Sequence, residues 1–571
     1  MLRFPAILAA MMCIVAQSCC NVIDIEEIDG DATEVLRGAL AEASRYGGRA
    51  VTIRLSPGDY HLSRIMASQH VYYVSNTASA EENPDPTKHI GIWLKGLQNV
   101  TIDGRGARLV THGEMTPIVI DSCSNVTLKN FSLTAADPTV PEFRVLGVDS
   151  AAMTVEVTAP SRFEIDKGRF YFEGEGWRFP DANLPELAQV FYPEDNVTQR
   201  CDSPLRNYCE ARRLNERVVE FVFDSVPDVR AGEIYHMRHG IRSEVCAFIN
   251  RSRDICIENA EFNFLGNFGL VGQFSENITY DNIRCCPEEG SGRTDAGFAD
   301  FVQMSSCRGR ISIVNSYFEG AHDDPINIHG THLVVMPGSS GDRLIVRYMH
   351  GQTYGFAPCV ADDEVEVVDR RTLNARMTAK VRDVNRLSDY DYELRLNRRL
   401  PDGIAVDDLA VENISWTPEV EIANNYFARI PTRGILITTR GKSVIEDNVF
   451  YRMPMSAVLI SDDARGWYES GPVHGLTIRR NTFVECGSPV IAIWPEIERF
   501  EAPVHKNIKV ADNHFILRPG SVAVSVRGSE NIVVCDNEFD LADSERLPVD
   551  SLVEARDVSG LVLSGNRVMA R

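Results

Sequence analysis

Ile311-Ser312-Ile313-Val314-Asn315-Ser316-Tyr317-Phe318 is the stretch whose reading decides the fold. Apolar and polar residues alternate, an Asn follows, and an aromatic pair closes the phrase. That alternation, with its β-branched content, specifies a strand rather than a helix. Asn tolerates the left-handed backbone of a tight corner, and its amide can bond an Asn above or below. The phrase recurs with Asn259, Asn282, Asn425, Asn448, Asn481, Asn513, Asn537 and Asn566 in the corresponding slot. Outside the gap between Asn315 and Asn425, consecutive copies fall 23 to 33 residues apart. Asn99-Val100-Thr101-Ile102-Asp103-Gly104 and Asn125-Val126-Thr127-Leu128-Lys129-Asn130 open the series. One such unit cannot bury its apolar face alone, so the copies must stack as a solenoid. The expected fold is all-β: a right-handed parallel β-helix, three strands per coil, with Asn at the corner between the second and third.

Working outward, residues 136–245 and 331–417 lack the phrase but carry short alternating strands such as Met153–Val157 and Tyr392–Leu396. They are predicted to be two inserted, small β-barrel-like domains. The expected order is a signal segment at 1–19, an N-terminal cap with the first coils at 20–135, the first insertion at 136–245, and coils at 246–330. The second insertion follows at 331–417 and C-terminal coils at 418–571. Residues 31–47 read as a capping helix. Asp31 or Thr33 can start it, Val35, Leu36, Leu40 and Ala41 form its apolar stripe, and Gly47-Gly48 ends it. A helix there would cover the open end of the solenoid. The polar, Pro-bearing stretch from Asn76 to Lys88 is predicted to be a loop.

The 571 residues are 44% hydrophobic and 24% charged, as in a soluble globular protein. A net charge of −23 argues against nucleic acid and anionic membrane as partners, and disfavours a polyanionic substrate. Arg3, the apolar run Phe4–Val15 and the small residues before Cys19 read as an export signal with a loose lipobox. This predicts export to the periplasm, or to the outer membrane and cell surface of a Gram-negative bacterium. Cys19 is the candidate for a membrane-attaching lipid. Among 14 cysteines, Cys256, Cys285, Cys307, Cys486 and Cys535 fall in or beside the repeats. Cys201 and Cys209 are placed to pair under oxidising conditions. No Cys/His spacing suggests zinc, and no cofactor is expected.

The coil model locates the chemistry. Asp300 and Asp324 are 24 residues apart, about one coil, and should be vertical neighbours at roughly 4.8 Å strand spacing. Asp323 adjoins them. Strict alternation would send Asp323 and Asp324 to opposite faces, so a turn or bulge is expected there. Crowded carboxylates raise at least one pKa, which leaves a proton donor beside an ionised base. That pair is what cleavage of a glycosidic bond requires. An isolated Asp-Asp is ordinarily a solvated turn. Here it precedes a strand one coil from Asp300, among His322, Asn327 and His329, which are candidate substrate contacts. Arg433 precedes the strand Ile435-Leu436-Ile437 on the same sheet. Trp494 is placed to stack on a sugar or to pack at a coil edge. Trp467 and Glu469 are placed to wall the site or to pack on the flank. Arg308 and Arg440 would bond sugar hydroxyls, orient carboxylates or form structural salt bridges.

Two long runs carry a resemblance. One goes from Arg293-Thr294-Asp295 through Asp300 and Cys307-Arg308-Gly309 to Gly320-Ala321-His322-Asp323-Asp324-Pro325-Ile326-Asn327-Ile328-His329-Gly330-Thr331. The other is Asp463-Ala464-Arg465-Gly466-Trp467-Tyr468-Glu469-Ser470-Gly471-Pro472-Val473. Both resemble glycoside hydrolase family 110, built on a pectate-lyase-like solenoid, and the likeness extends over nearly the whole chain past the signal. The resemblance implies a bacterial exo-α-1,3-galactosidase acting on blood group B-type and related glycans, with inversion and without a metal. Its partners would be galactose-terminated oligosaccharides and glycoconjugates; a homo-oligomer is left open. It also implies Asp323 as general acid, with Asp300 and Asp324 holding and deprotonating the attacking water.

Three other readings compete. A polygalacturonase also uses an Asp-Asp pair and a third Asp, but no Asn-Thr-Asp precedes the pair here and no Arg-Ile-Lys follows in a later coil. A polysaccharide lyase would need a Lys or Arg base and commonly an Asp-rich calcium site. A non-catalytic glycan-binding adhesin would not need Asp300 and Asp323 at all.

Overall fold

The computed structural model describes residues 21–181, 187–400, 405–541 and 547–570. The export segment and Cys19 lie outside the described residues. The chain is predominantly β and its repeats stack in parallel. In the first sheet Ala247–Asn250, Leu270–Gln273, Val302–Ser305, the start of Ile326–Val335, Ile435–Ile437, Val458–Ile460 and Ile491–Ile493 pair each with the next. A second sheet runs through Arg308–Val314, Glu419–Ala423 and Ser443–Glu446, and a third through Tyr317–Glu319, Tyr426–Ala428 and Val449–Tyr451. Inward-facing residues make one continuous apolar core from Ile23 to Val553. In the third sheet Phe318, Phe427, Phe450, Phe483, Phe515 and Phe539 stack ring on ring at 4.8–5.2 Å. That spacing is set by the strands beneath them.

The Asn phrase occupies two slots, not one. Asn259, Asn282 and Asn315 sit at φ +50° to +55°, exposed at the corner. Tyr317 pairs with Tyr426, so Asn315 stands over Asn424, and Asn425 stands over Ser316. Asn424 takes the left-handed turn (φ +57°) and bonds Asn315 at 2.8 Å. From Asn425 onward the conserved spacing instead marks an inner ladder. Asn425 Oδ1 accepts from the Ser316 N–H, and from Asn448 on each Oδ1 accepts from the backbone N–H and side-chain amide of the Asn one coil back, at 2.9–3.0 Å. A one-residue offset looks the same in an approximate repeat, but it exchanges an exposed corner for a buried one.

The helix Thr33–Ser44 starts where Asp31 Oδ1 accepts from the Thr33 N–H at 2.8 Å. Leu36, Ala39, Leu40 and Ala43 join the core at its N-terminal end. Between Thr116–Asp121 and Ala247–Asn250, which pair directly, the chain makes an excursion. It forms an antiparallel seven-stranded sheet between Glu142 and Met237, with a small three-stranded sheet beside it, around a core of its own. The end strands of the larger sheet, Val197–Asp202 and Tyr208–Arg213, do not pair with each other. Cys201 and Cys209, on those strands, are unpaired thiols, contrary to the pairing the sequence suggested. The second excursion is closed. The far end of Ile326–Val335 pairs with Arg343–Arg347, and the circuit returns through Asp391–Leu396, Ala375–Arg386, Glu364–Asp369 and Leu409–Asn413. One strand therefore belongs to the coil at its start and to the insertion at its end.

Candidate active site

Val302 pairs with Ile326 and Ile326 with Ile435. Two residues earlier in each coil, the same register stacks Asp300, Asp324 and Arg433 in one column. All three precede their strands, in bends rather than in the strands themselves. Asp323 also lies in that bend, so alternation does not govern it. Asp300 and Asp324 are buried and Asp323 is partly exposed. Arg433 grips Asp324 with both arms of its guanidinium, Nε at 3.0 Å and Nη2 at 2.8 Å, and with its backbone N–H at 3.2 Å. This fork geometry matches a carboxylate.

Burial pushes the Asp300 carboxyl well above the usual range, and the charges of Asp323 and Asp324 add to it, against Arg242. Burial also raises Asp324, despite the opposing pull of Arg433. Burial works against the charge on Arg433, but the Asp324 carboxylate more than offsets it and the guanidinium stays charged. The two buried acids, Asp300 and Asp324, titrate together. Asp300 has the least compensation and is where a proton resides at lowest cost.

Asn327 links this cluster to Glu469. Its Nδ2 is 3.1 Å from Glu469 Oε1 and 3.4 Å from Asp300 Oδ2. His329 turns Nδ1 to the Gly330 carbonyl at 2.7 Å, and its Nε2 lies 3.0 Å from Gln303 Nε2 and 3.6 Å from Glu469. Glu469 arrives from a distant loop because Glu469–Ser470 pairs antiparallel with Gly330-Thr331. A Cβ on Gly330 would sit 2.6 Å from Ser470 Oγ and 3.2 Å from the Ser470 carbonyl oxygen, so a side chain there would force the hydroxyl aside. A cavity of about 480 Å3 opens along the sheet from Arg433 and Glu469, lined also by Leu436, Thr438, Ser461 and the half-exposed Trp467. Its size and mixed lining suit a small saccharide.

Four sequence candidates stand elsewhere. His322 is fully buried, its ring stacked on His236 with Nε2 3.1 Å from His236 Nδ1, so it faces the first insertion instead of the groove. Arg308 pairs with Glu276, covers Trp416 at 4.4 Å and lines a separate cavity. Arg440 binds Glu366 and Glu412 of the second insertion, both at 2.5 Å. Trp494 donates to Ser525 Oγ at 3.0 Å and packs under Arg527, outside the cavity lining. In each case strand alternation gave the face, while an insertion or the next coil had already claimed the side chain.

Other residues reach the site without any sequence signal. Asn76, at φ +60° in the polar loop, donates to Glu469 at 3.2 Å and accepts from Thr353 of the second insertion at 2.8 Å. Arg200 of the first insertion pairs with Asp323 at 2.9 Å. Gln189 donates to the His322 carbonyl at 2.9 Å.

This arrangement has close relatives. The chain is 43% identical to alpha-1,3-galactosidase A of Bacteroides thetaiotaomicron, over 98% of its own length and 97% of the relative's. The chain belongs to the α-1,3-galactosidase family. Alpha-1,3-galactosidase A of Akkermansia muciniphila is 32% identical over 89% of this chain and 84% of its own. Alpha-1,3-galactosidase B of B. thetaiotaomicron is 31% identical over 86% and 81%. Residues 343–410 match the model of GLAA-B beta-barrel domain II, and they span most of the closed circuit that supplies Glu366. The acidic column adjoins the cavity through Arg433 and Glu469, which line it, while Asp300, Asp323 and Asp324 stand behind that lining.

Proposed function

We propose that the protein is an exo-acting α-1,3-galactosidase of glycoside hydrolase family 110 that inverts configuration at the bond it cleaves. It releases terminal α-1,3-linked galactose from blood group B-type or linear α-1,3-galactosyl glycans. The observation that carries the reading is the column Asp300–Asp324–Arg433 with the more exposed Asp323 beside it. Asp323 protonates the leaving oxygen as the bond to the anomeric carbon breaks. Asp300 and Asp324 hold a water on the opposite face of the sugar and take its proton as it attacks. Inversion needs room for that water between acid and base, about 6.5–9.5 Å between carboxyls. In the empty site the resident proton sits on Asp300. Its transfer to Asp323 arms the acid and frees the base in one step, with no change in total charge. Arg433 keeps Asp324 aimed and opposes the burial that raises its pKa.

Asn327, His329, Glu469 and Trp467 are the substrate contacts in this reading. The two insertions, an open sheet and a closed barrel, wall the groove, which favours removal of one terminal sugar over internal cleavage. The helix Thr33–Ser44 caps the stack. Export through the N-terminal segment, with a lipid on Cys19, places the enzyme where host glycans are met.

Incubation with linear and fucosylated trisaccharides, followed by NMR of the nascent sugar, tests the reading. β-Galactose appears first, and Asp323→Asn and Asp300→Asn lose at least about a thousandfold in rate. First-formed α-galactose would overturn inversion. Glycan binding with no turnover by the wild type would favour the adhesin.

A further inference from the structure

We infer that Arg200 is a positioning residue: a latch carried by the first insertion that holds Asp323 as a carboxylate in the empty site and yields it when the terminal sugar enters. The inference rests on the reading of Asp323 as the general acid.

It is carried by a row of side chains. In the seven-stranded sheet Gln189 pairs with Arg200 on one side and with His236 on the other. Residues directly opposite in antiparallel strands project from the same face. His236, Gln189 and Arg200 thus form one line across three strands, and this line lies along the catalytic bend. His236 meets the His322 ring at 3.1 Å, Gln189 donates to the His322 carbonyl at 2.9 Å, and Arg200 pairs with Asp323 at 2.9 Å. The first two contacts are fixed. His236 and Gln189 are buried, and His236 Nε2 is held 2.7 Å from Thr294 Oγ1, which donates to Glu142 at 2.7 Å. The third is free to move. The Arg200 side chain is 42% exposed and sits on an end strand of its sheet, which pairs on one side only. Two rigid anchors and one mobile cation make a clamp that fixes the bend while leaving the carboxylate negotiable.

A general acid must carry a proton when the glycosidic bond breaks, and a guanidinium at ion-pair distance opposes this. The groups facing Asp323 are Arg200 from the insertion, and Asp300, Asp324 and Arg433 from the coils. Arg242 and Glu469 act on Asp300 with opposite signs of charge, and His322 lies in the wall. Of the two cations that act on Asp323, Arg433 is committed to Asp324 and Arg200 is not. A sugar hydroxyl entering the groove offers its five donors an alternative acceptor. As Arg200 turns to that hydroxyl, the proton on Asp300 moves to Asp323. Arg200 keeps its charge throughout. The acid is thereby armed only in the occupied site.

The test compares wild type with Arg200→Gln and Arg200→Lys on two substrates. One is a linear α-1,3-galactosyl disaccharide, whose leaving group needs a proton. The other is a nitrophenyl α-galactoside, whose leaving group does not. Arg200→Gln is expected to move the basic limb of kcat/KM on the disaccharide up by about 1 pH unit, because Asp323 then keeps its proton longer. The nitrophenyl limb should stay in place, and Lys should restore most of the wild-type limb. A rise in KM with both limbs unmoved would reduce Arg200 to a substrate contact and overturn the latch. Infrared titration of the carboxyl groups, with Asp323→Asn as the assignment control, reads the same interaction without turnover. If Asp323 titrates at the same pH in wild type and Arg200→Gln, the latch is refuted even where galactose is released. If its titration moves but wild type releases no galactose, the ion-pair control stands and the hydrolase reading is what fails.

Discussion

Asp300 occupies a place where a carboxylate is least comfortable: buried, facing Asp323 and Asp324, with the pull of Arg242 and a long bond from Asn327 in its favour. Its pKa is raised in the folded chain. The folded state therefore holds a proton that the unfolded chain releases at the ordinary carboxylate pKa, near about 3.9. Stability attributable to this group is full below that pH and is lost as pH rises toward the folded pKa. Asp300→Asn removes the penalty. The variant should be inactive yet more heat-stable than wild type at pH 7, by on the order of 1 kcal/mol or more, with the gap narrowing as pH falls to about 4. Thermal unfolding of both proteins across that range checks it; a gap constant with pH would show that Asp300 is already compensated. Asp324 behaves differently on removal of its partner. Arg433→Met leaves a buried charge unpaired and should cost about 3–5 kcal/mol, read as a lowered Tm together with lost activity.

At the scale of the element, the coil corners separate two jobs that one residue type performs. Asn481 accepts from the Asn448 N–H and amide at 3.0 and 2.9 Å, and donates to the Ile445 carbonyl and to Asn513. All of this is buried. Asn481→Ala orphans several of these groups at once, and about 3–5 kcal/mol of destabilisation is expected. Asn282 makes one exposed bond to Asn259 and otherwise serves its φ of +53°. Asn282→Gly keeps that backbone and should cost less than about 1 kcal/mol. Denaturant unfolding of the two variants discriminates them; equal losses would mean that the corner conformation, not the inner ladder, holds the coils. The repeat was legible in the sequence because strand alternation and Asn recur in every coil. The offset between the two Asn slots was not, because the spacing varies by more than the one residue that distinguishes them.

Across the whole molecule, the second insertion is docked by ion pairs, the structural salt bridge being one of the readings the sequence left open for Arg440. Arg440 leaves the coil to meet Glu412, which is 1% exposed, and Glu366. The cation holds Glu412 below the usual carboxylate range although burial pulls the other way. Nearby, His332 and Asp462, both buried, pair at 2.9 Å. Arg440→Met should destabilise by about 3–5 kcal/mol while kcat/KM at the optimum, measured well below Tm, changes less than about threefold. A large kinetic loss in a folded variant would return Arg440 to the substrate. The acidic column was legible because Asp300 and Asp324 are one coil apart and Arg433 heads the next coil. Arg200, Gln189, His236 and Asn76 were not legible, because they approach from segments that follow no period.

What the sequence by itself determined is the stack and everything that follows from stacking. A repeat with a fixed period makes vertical neighbours of residues one turn apart, so a local pattern dictates the acid column and the core beneath it. Only the tertiary structure decided which side chains close around that column. Asn76 reaches Glu469 from 393 residues away, and Arg200 reaches Asp323 from a separately folded sheet. Such contacts depend on how one rigid body docks on another, and the free energy of docking is spread over whole surfaces, where no short stretch of sequence records it.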